Sequence, residues 1–399
     1  MSITSQADAP GEFLIRVATG FAAFTRAEWS GLDGASRTES ACPYNPFVSH
    51  DFLSVLEESG CAVRETGWQG QHLRLEAPDG SLLGAVPCYL KSHSQGEYVF
   101  DYGWADAYER AGGRYYPKLQ VSVPFTPATG PRLLVRRGAD PDTVRAALAG
   151  GLKALATRLG VSSAHVTFAG EADMDALRDA GFLERHDQQF HFFNEGYRDY
   201  ADFLDRLSSR KRKTLRKERE AARRDGIEID WLTGRDLTEA VWDDFFAFYM
   251  DTGGRKWGRP YLNRDFFSMI GERMADDVLI VMARRGGRNI AGAINFIGSD
   301  ALYGRNWGCI EDHPFLHFEV CYHQAIDFAI EKGLVRVEAG AQGEHKLARG
   351  YRPVVTRSAH FLPDPGFRRA VDDYLMRERR EVGRVGEMLA EHGPFRRGE

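Results

Sequence analysis

The chain has 399 residues, of which 43% are hydrophobic and 27% are charged. These fractions exclude a mainly disordered chain, and the length predicts two domains. The 52 Lys and Arg against 57 Asp and Glu give a net charge of −5, which excludes a uniformly basic nucleic-acid coat but not a local basic patch. We find no apolar run of the ~18–20 residues that a membrane helix needs and no signal peptide, so we expect a cytoplasmic protein.

The first half of the chain predicts short helices alternating with strands. A Ser/His pair before an apolar run predicts a helix start at Ser49 or His50. Leucines recur at helical spacing between Pro141 and Gly160, which predicts a helix that begins and ends at these residues. We expect a further short helix at residues 175–180 and strands at residues 73–77, 82–90, 98–100, 121–125, 164–168 and 189–194.

The second half opens with a predicted basic helix. Residues 206–224 contain ten Lys or Arg and two Glu. Beyond it the pattern predicts helices at residues 232–249, 320–333 and 367–392, and strands at residues 277–283, 289–296, 301–306 and 335–339.

Each half reads as a hairpin, a strand, a helix and a strand. Residues 83–89 resemble residues 290–296, and residues 102–104 resemble residues 303–308. Either this is a tandem duplication, or it is chance similarity between common α+β patterns. We expect a duplication with an N-terminal domain, residues 1–194, that carries a loop insertion. The C-terminal domain, residues 195–399, would hold the basic helix and a last helix.

Six segments resemble a bacterial FemAB-like family, labelled peptidoglycan biosynthesis or recognition and related to the Fem-type peptidyl transferases. They are residues 45–50, 89–94, 101–110, 116–120, 316–319 and 343–351. The resemblance implies an α+β fold of two tandem GNAT-like (acyl-CoA N-acyltransferase) domains, with mixed β-sheets flanked by helices. In that fold a backbone N–H between two splayed strands polarises the acyl carbonyl, and a helix N-terminus binds the pyrophosphate.

One feature of CoA-binding members is missing from both halves. The Q/R-x-x-G-x-G/A loop that closes on pyrophosphate has no good copy after the predicted strands at His165 and Val335. The donor therefore stays open between acyl-CoA and aminoacyl-tRNA. No tightly bound cofactor is expected, and the spacing of the cysteines and histidines predicts no metal site.

Residues 343–351 are the densest polar segment. The resemblance implies that Lys346 stabilises the developing oxyanion and that Arg349 clamps a phosphate or carboxylate. His345 lies beside them and is a further catalytic candidate. The alternative is a solvated charged turn.

Amide formation needs a base that takes a proton from the attacking ammonium group. Glu319 and His317, at a predicted helix start, are candidates for this base. The alternative for Glu319 is a structural role, in which its carboxylate interacts favourably with the helix dipole. Glu338 is the other candidate. It lies in an apolar strand, and burial beside a cleft would raise its pKa, whereas exposure at a sheet edge would give it no role.

Aromatic and charged residues outside these segments are candidates for substrate binding. Residues 101–118 predict a loop that lines a binding surface, or else an insertion whose tyrosines pack on the sheet. A lone strand histidine such as His191 is either a ligand contact or a structural group. The candidates are Asp101, Tyr102, Trp104, Lys118, His191, Tyr303, Arg305, Trp307, His317, Arg349, Arg210 and Lys213.

The basic run at residues 208–217 has three explanations. It is a solvated helix face, a contact for an anionic substrate such as a nucleotide sugar or a tRNA acceptor end, or a contact for anionic lipid. We find no sign of DNA binding.

Three functions remain open. The first is an acyl or aminoacyl transferase that forms an amide on a small-molecule or peptidyl amine, related to cell-wall precursors. The second is the same chemistry with acyl-CoA as donor. The third is a non-catalytic protein that recognises a cell-wall precursor or a protein partner.

Overall fold

The computed structural model describes residues 2–4, 13–38, 42–256, 260–340 and 343–396. Helices and mixed β-sheets occur along the described chain, which confirms the α+β prediction. The chain divides into two compact units. Unit 1 comprises Met1–Asp187 and Val355–Gly383, and unit 2 comprises Gln188–Val354 and Arg384–Glu399.

The expected domains, residues 1–194 and 195–399, differ from these units in two respects. The first boundary falls after Asp187, inside a strand that spans Leu183–Phe193, and a late segment of the chain, Val355–Gly383, returns to unit 1. Local sequence patterns carry no sign of this return because it depends on pairing between distant strands.

The first part of the chain supplies most of unit 1. Its strands are β1 (Ser2–Thr4), β2 (Leu14–Ala18), β3 (Trp68–Gly70), β4 (His72–Glu76), β5 (Leu82–Val86), β6 (Cys88–Lys91), β7 (Lys118–Val121), β8 (Leu134–Val135) and β9 (Ala164–Val166). Its helices are α1 (Arg26–Trp29), α2 (His50–Glu58), α3 (Tyr102–Arg110), α4 (Pro141–Leu159) and α5 (Glu171–Asp179).

The second part begins within the long strand β10. Its strands are β10 (Leu183–Phe193), β11 (Ile227–Leu232), β12 (Val278–Arg285), β13 (Arg288–Ile297), β14 (Ala301–Cys309), β15 (Arg336–Glu338) and β16 (Arg352–Phe361). Its helices are α6 (Tyr200–Arg206), α7 (Ser209–Ala222), α8 (Glu239–Lys256), α9 (Arg264–Arg273), α10 (Leu316–Phe318), α11 (Gln324–Glu331) and α12 (Pro365–Glu391).

Helix α4 shows why the helix ends were predictable. The Asp140 side chain accepts a hydrogen bond from the Thr143 N–H at 3.1 Å, Pro141 occupies the first turn, and Gly160 ends the helix at φ +62°. Each device is local, because it satisfies backbone groups that the helix itself leaves unpaired.

In unit 2 the strands follow the order β11-β12-β13-β14-β15-β10. All neighbours are antiparallel except β14 and β15, which are parallel. The face that carries Leu302, Val337 and Phe192 joins the main apolar core, together with the helices that follow β14. Helix α8 packs on β13 and β14.

In unit 1 the strands β9, β7, β6 and β3 are neighbours in that order, and β9 also pairs with the C-terminal part of β16. The side chains of β7 and β9 alternate. Leu119 and Val166 enter an apolar core with α4, whereas Lys118, Gln120 and His165 lie on the other face and are also buried. A second sheet of unit 1 has the order β1-β2-β4-β5-β8.

The same connection occurs once in each unit. In unit 1, β6 and β7 are antiparallel, α4 follows, and β9 returns parallel to β7. In unit 2, β13 and β14 are antiparallel, α10 and α11 follow, and β15 returns parallel to β14.

Two local predictions in this region are wrong. Residues 98–100 form no strand, since Tyr98 has φ +61°. Residues 102–104 lie in α3, so the strand that corresponds to β14 in unit 1 is β7. Among the described residues, no helix is long and apolar enough to cross a membrane.

Candidate active site

The parallel strands of unit 2 part at a defined position. Leu302 pairs with Val337 and Tyr303 with Glu338, where β15 ends, but β14 continues to Cys309. Ile294 of β13 faces Asn306, and the next residue, Asn295, faces Gly304. Arg305 is therefore the extra residue of a β-bulge, a feature that ends pairing and often adjoins functional sites. We call the gap beyond Tyr303 and Glu338 the unit 2 splay.

Glu338 and His191 lie together on one face of this sheet. Both are paired in register across β15 and β10, so their side chains share the face opposite the apolar core. Glu338 Oε1 accepts from Arg336 Nε at 3.0 Å, and Oε2 lies 3.9 Å from His191 Nε2. Within the described chain, Glu338 Oε2 is buried and has no hydrogen-bond partner. Burial lowers the pKa of His191, so its imidazole is neutral at pH 7.

Lys346 lies on the other face, in a 3-10 turn that spans Glu344–Arg349. Its ammonium group donates to the carbonyl of Ala339 at 2.5 Å and to that of Gly340 at 2.9 Å, just past the end of β15. The residue is 2% exposed, and burial lowers the pKa of Lys346 to about 8. Lys346 therefore carries its charge at pH 7 and has one N–H left to donate.

His345 precedes Lys346 and is exposed. Its Nε2 lies 3.0 Å from the hydroxyl of Tyr322, and its ring packs 5.4 Å from that of Phe318. Partial desolvation, followed by the charges of Arg349 and Lys346, lowers the pKa of His345. A neutral imidazole beside solvent suits proton transfer better than a buried carboxylate.

Glu319 is engaged by cations. Its carboxylate is fully buried and accepts from Arg219 at 3.0 Å, from Arg223 at 3.0 Å and from Gln324 at 2.7 Å. Burial would raise its pKa, but the Arg219 guanidinium keeps the pKa of Glu319 below its usual range. The geometry is that of a carboxylate that fixes α7 to the helix after β14, and it disfavours Glu319 as the base.

Arg349 is buried as well, at 4% exposure. Its guanidinium donates to Glu218 at 2.8 Å and to the His345 carbonyl at 2.7 Å, and lies 3.5 Å from the Phe318 ring centroid. These contacts hold Arg349 in place at the end of the 3-10 turn. Its predicted role as a clamp stays a prediction.

A cleft opens beside the splay. It has a volume of about 820 Å³ and is lined by residues 309–318 together with Trp307, Asp251 and Thr252. His317 links the cleft to the turn, since its ring is 5.2 Å from that of Trp307 and 6.4 Å from that of His345. We call this the aromatic cleft. Tyr303 lies instead on the Glu338 face, and Arg305 forms the bulge.

Residues 310–315 form the loop that leads from β14 into the following helix. The structure makes this loop, and not the segments after the strands at His165 and Val335, the counterpart of the pyrophosphate-binding loop. This is the loop whose backbone would face a pyrophosphate at the splay. It contains Glu311, Asp312 and Pro314 but no glycine. Carboxylates repel phosphate and proline lacks an N–H, so the loop is poorly suited to bind CoA in the usual way.

Helix α7 has two different sides. Glu218 and Arg219 face the helix after β14, where they bond Arg349 and Glu319. Arg210 and Lys213 are exposed. The structure thus separates a structural side from an outer basic side, and only the outer side is available to an anionic partner.

The candidates in the first half belong to unit 1 and are mostly buried. Lys118 donates to Glu97 at 2.7 Å and also to Asp101. Burial raises the pKa of Asp101, but the Lys118 ammonium lowers it by more and holds this pKa well below its usual range. Trp104 packs 4.8 Å from the His360 ring, while Tyr102 is 49% exposed. Asp101 directly precedes helix α3, where a loop was predicted. The substrate role of these residues stays a prediction.

Sequence analysis missed one residue of the site, Tyr322. It lies in a π-helical turn, Glu319–His323, at the start of the helix predicted at residues 320–333. The π turn shifts the side chains that follow it, and such turns often occur at functional sites. No local pattern marks this turn, so only the contact with His345 reveals it. Among the described residues, no group of His, Cys, Asp and Glu is arranged to hold a metal ion.

Comparisons with known proteins fit this arrangement. A family model named FemAB-like, with the description peptidoglycan biosynthesis/recognition, matches residues 21–397. A comparison with curated proteins finds no match.

Among solved structures, a C-terminal domain assigned to a lysylphosphatidylglycerol synthetase of Agrobacterium fabrum is 11% identical. The match covers 80% of this chain and 91% of that one, with a TM-score of 0.50. FemX is 10% identical, and the match covers 79% of this chain and 93% of FemX, with a TM-score of 0.49. A tandem GNAT protein from the clavulanic acid biosynthesis pathway is 12% identical. The match covers 89% of this chain and 99% of that one, with a TM-score of 0.44. The predicted fold of tandem GNAT-like domains is confirmed.

Proposed function

The chain belongs to the FemAB-like family, and on this premise we propose that it is an acyl or aminoacyl transferase that forms an amide on an amine-bearing substrate at the unit 2 splay. The observation that carries the proposal is the adjacent pair His345 and Lys346. One turn presents a neutral imidazole and a buried ammonium group just past the point where β14 and β15 part.

The chemistry follows from these two groups. The acceptor ammonium loses one proton to water, and the resulting neutral amine attacks the acyl carbonyl carbon while His345 takes the second proton from the nitrogen. The remaining N–H of Lys346 donates to the oxyanion that develops. The tetrahedral intermediate then collapses, the C–N bond stays, and the bond to the leaving group breaks as His345 returns a proton.

The donor in this proposal is an aminoacyl ester rather than a CoA thioester. Glu311, Asp312 and Pro314 in the loop after β14 support this choice, since the two carboxylates repel a pyrophosphate and the proline removes one backbone N–H donor. The outer side of α7, with Arg210 and Lys213, would contact the phosphates of a tRNA acceptor end. A cell-wall precursor peptide is the acceptor that the family description favours.

Replacement of Lys346 by Met tests the proposal. We expect kcat for amide formation to fall about 10²–10³-fold, the usual effect of removing one oxyanion donor. The assay follows the amide product by mass spectrometry, with aminoacyl-tRNA or acyl-CoA as donor and a cell-wall pentapeptide as acceptor.

Lys332→Met is the matched control because Lys332 lies in the same unit and its side chain is 51% exposed. Circular dichroism shows whether both variants are folded. Undiminished turnover by folded Lys346→Met would overturn the role of Lys346, and turnover with acyl-CoA but not with any aminoacyl-tRNA would overturn the donor assignment.

A further inference from the structure

The aromatic cleft has a composition that the transfer chemistry alone does not require. Its walls include Trp307, Phe315, His317 and Phe318, and its described lining contains carboxylates but no lysine or arginine. Aromatic faces attract cations, and carboxylates add to this attraction. A cleft of this kind disfavours an anionic ligand.

The carboxylates of the cleft are not equivalent. The Glu311 carboxylate lies 3.0 Å from His313 Nε2 and 2.7 Å from Arg285 Nη2. Asp312 is exposed and has no ion-pair partner among the described residues. Asp312 therefore presents an uncompensated negative charge at the rim.

The apolar rim is equally unusual. Phe315 is 43% exposed and Ile310 is 40% exposed, although both are large apolar side chains. Phe315 also has φ +64°, a conformation that a bulky residue rarely adopts and that is often retained at ligand sites. The two side chains leave an apolar surface open next to the carboxylate.

We propose that the aromatic cleft binds the amine end of the acceptor, with the apolar stem that carries the amine between Trp307 and Phe315 and the ammonium group near Asp312 before transfer. This inference rests on the proposed function, because it specifies the acceptor of the same site. His317 and Phe318 line the cleft and their rings lie 6.4 Å and 5.4 Å from that of His345, so the cleft adjoins the group that takes the proton.

The test measures binding without turnover. The full chain is labelled with 5-fluorotryptophan, and the Trp307 signal is assigned by its loss in Trp307→Phe. Phenethylammonium, phenylacetate and 2-phenylethanol are then titrated while the fluorine spectrum is recorded. We expect a saturable shift of the Trp307 signal with phenethylammonium, a weaker response to 2-phenylethanol, and none with phenylacetate.

Asp312→Asn separates charge from apolar contact. An exposed ion pair contributes about 0.2–1 kcal/mol, so the dissociation constant for phenethylammonium is expected to rise about 1.4- to fivefold. Asp179→Asn, an exposed carboxylate of unit 1, is the matched control and should leave the constant unchanged. Added salt should weaken binding to the parent chain more than to Asp312→Asn.

Two results would overturn the inference: binding of phenylacetate at least as tight as that of phenethylammonium, or no response of Trp307 to any of the three probes. Failure of the proposed function would look different. In that case phenethylammonium would bind as expected, but no donor would yield an amide and Lys346→Met would be as inactive as the parent chain.

Discussion

At the scale of single residues, the site depends on two neighbours whose pKa values move in the same direction. The pKa values of His345 and Lys346 are both lowered, in each case with desolvation as the largest cause. The same shift has opposite uses. It keeps the imidazole neutral and able to accept a proton, whereas it leaves Lys346 charged only up to about pH 8.

The first prediction concerns the pH dependence of kcat. His345 must be neutral, and its pKa lies below 6.5, so the rate should fall only on the acid side of that value. Lys346 must be protonated, and its pKa is about 8, so the rate should fall again above pH 8. A profile of kcat from pH 5 to pH 10 at saturating substrates measures both limbs.

Lys346→Arg assigns the alkaline limb of that profile. A guanidinium group stays charged across the whole range, so the decline above pH 8 should disappear even if the maximum rate is lower. An alkaline limb that is unchanged in Lys346→Arg would show that another group, such as the acceptor amine, titrates there.

Sequence analysis selected residues that the structure brings together, but not their partners. Lys346 was selected through the family resemblance, while His345 beside it and His317 at a predicted helix start were selected by residue type and position, and the roles of all three stay predictions. The pairing of Glu319 with Arg219 joins positions 100 residues apart, and no local pattern encodes it. The contact between Tyr322 and His345 depends on a π turn in the same way.

At the scale of elements, strand β14 organises the site. Its pairing with β15 ends at Tyr303, its bulge at Arg305 lies in the pairing with β13, and its far end carries Trp307 into the aromatic cleft. Gly308 lets helix α8 approach the strand closely. A Cβ at Gly308 would lie 2.1 Å from the carbonyl oxygen of Phe248 and 2.3 Å from its carbonyl carbon, which are backbone atoms that no side-chain rotation can move.

Gly308→Ala is therefore expected to destabilise unit 2. Overpacking of this kind costs about 1–3 kcal/mol, and α8 must shift away from β14 to relieve it. Differential scanning fluorimetry measures the lowered melting temperature, and hydrogen exchange in α8 locates the change.

Gly254→Ala provides the matched control for Gly308→Ala. Gly254 lies in α8 itself, and a Cβ there meets nothing within 4 Å. Alanine is favoured over glycine in a helix by about 0.5–1 kcal/mol, so this variant should melt at the same or a higher temperature. Equal melting temperatures for the two variants would contradict the close approach of α8 to β14.

Element bounds were predictable where capping and turn residues decide them, as in α2 and α4. The bounds of α3 were not, because the aromatic and charged composition of residues 101–110 is typical of a loop. Residues 102–110 form α3, whose Trp104 packs on His165 and His360. Tertiary contacts with distant strands stabilise this helix, and a local pattern cannot report them.

At the scale of the whole molecule, unit 1 is assembled from two distant parts of the chain. Its strand β9 pairs with β16, where Ala359 faces Val166 and His360 faces His165. His360 Nδ1 also lies 2.6 Å from His165 Nδ1 in the buried polar face. The late segment thus completes both the sheet and the polar cluster of unit 1.

A chain that ends at Val354 is expected to lack a stable unit 1, although it contains all of residues 1–187. Loss of β16 leaves one edge of β9 unpaired, and loss of α12 removes Phe367 and Leu375 from the packing around Tyr115. Hydrogen exchange measured by mass spectrometry should show loss of protection at Ala164–Val166, compared with the full chain. Full protection of this strand in the truncated chain would contradict the dependence.

The return of residues 355–383 to unit 1 also sets an order of events on the ribosome. Translation adds about 5–20 residues per second, so the ribosome spends roughly 10–30 s on residues 188–354 before β16 is made. During that interval the nascent N-terminal segment already carries Lys118, Asp101 and His165, but it lacks His360, which pairs with His165 in the complete chain. Strands β10 to β15 of unit 2 are contiguous in the chain and can pair during this interval, whereas unit 2 is complete only when its last segment, Arg384–Glu399, has been made.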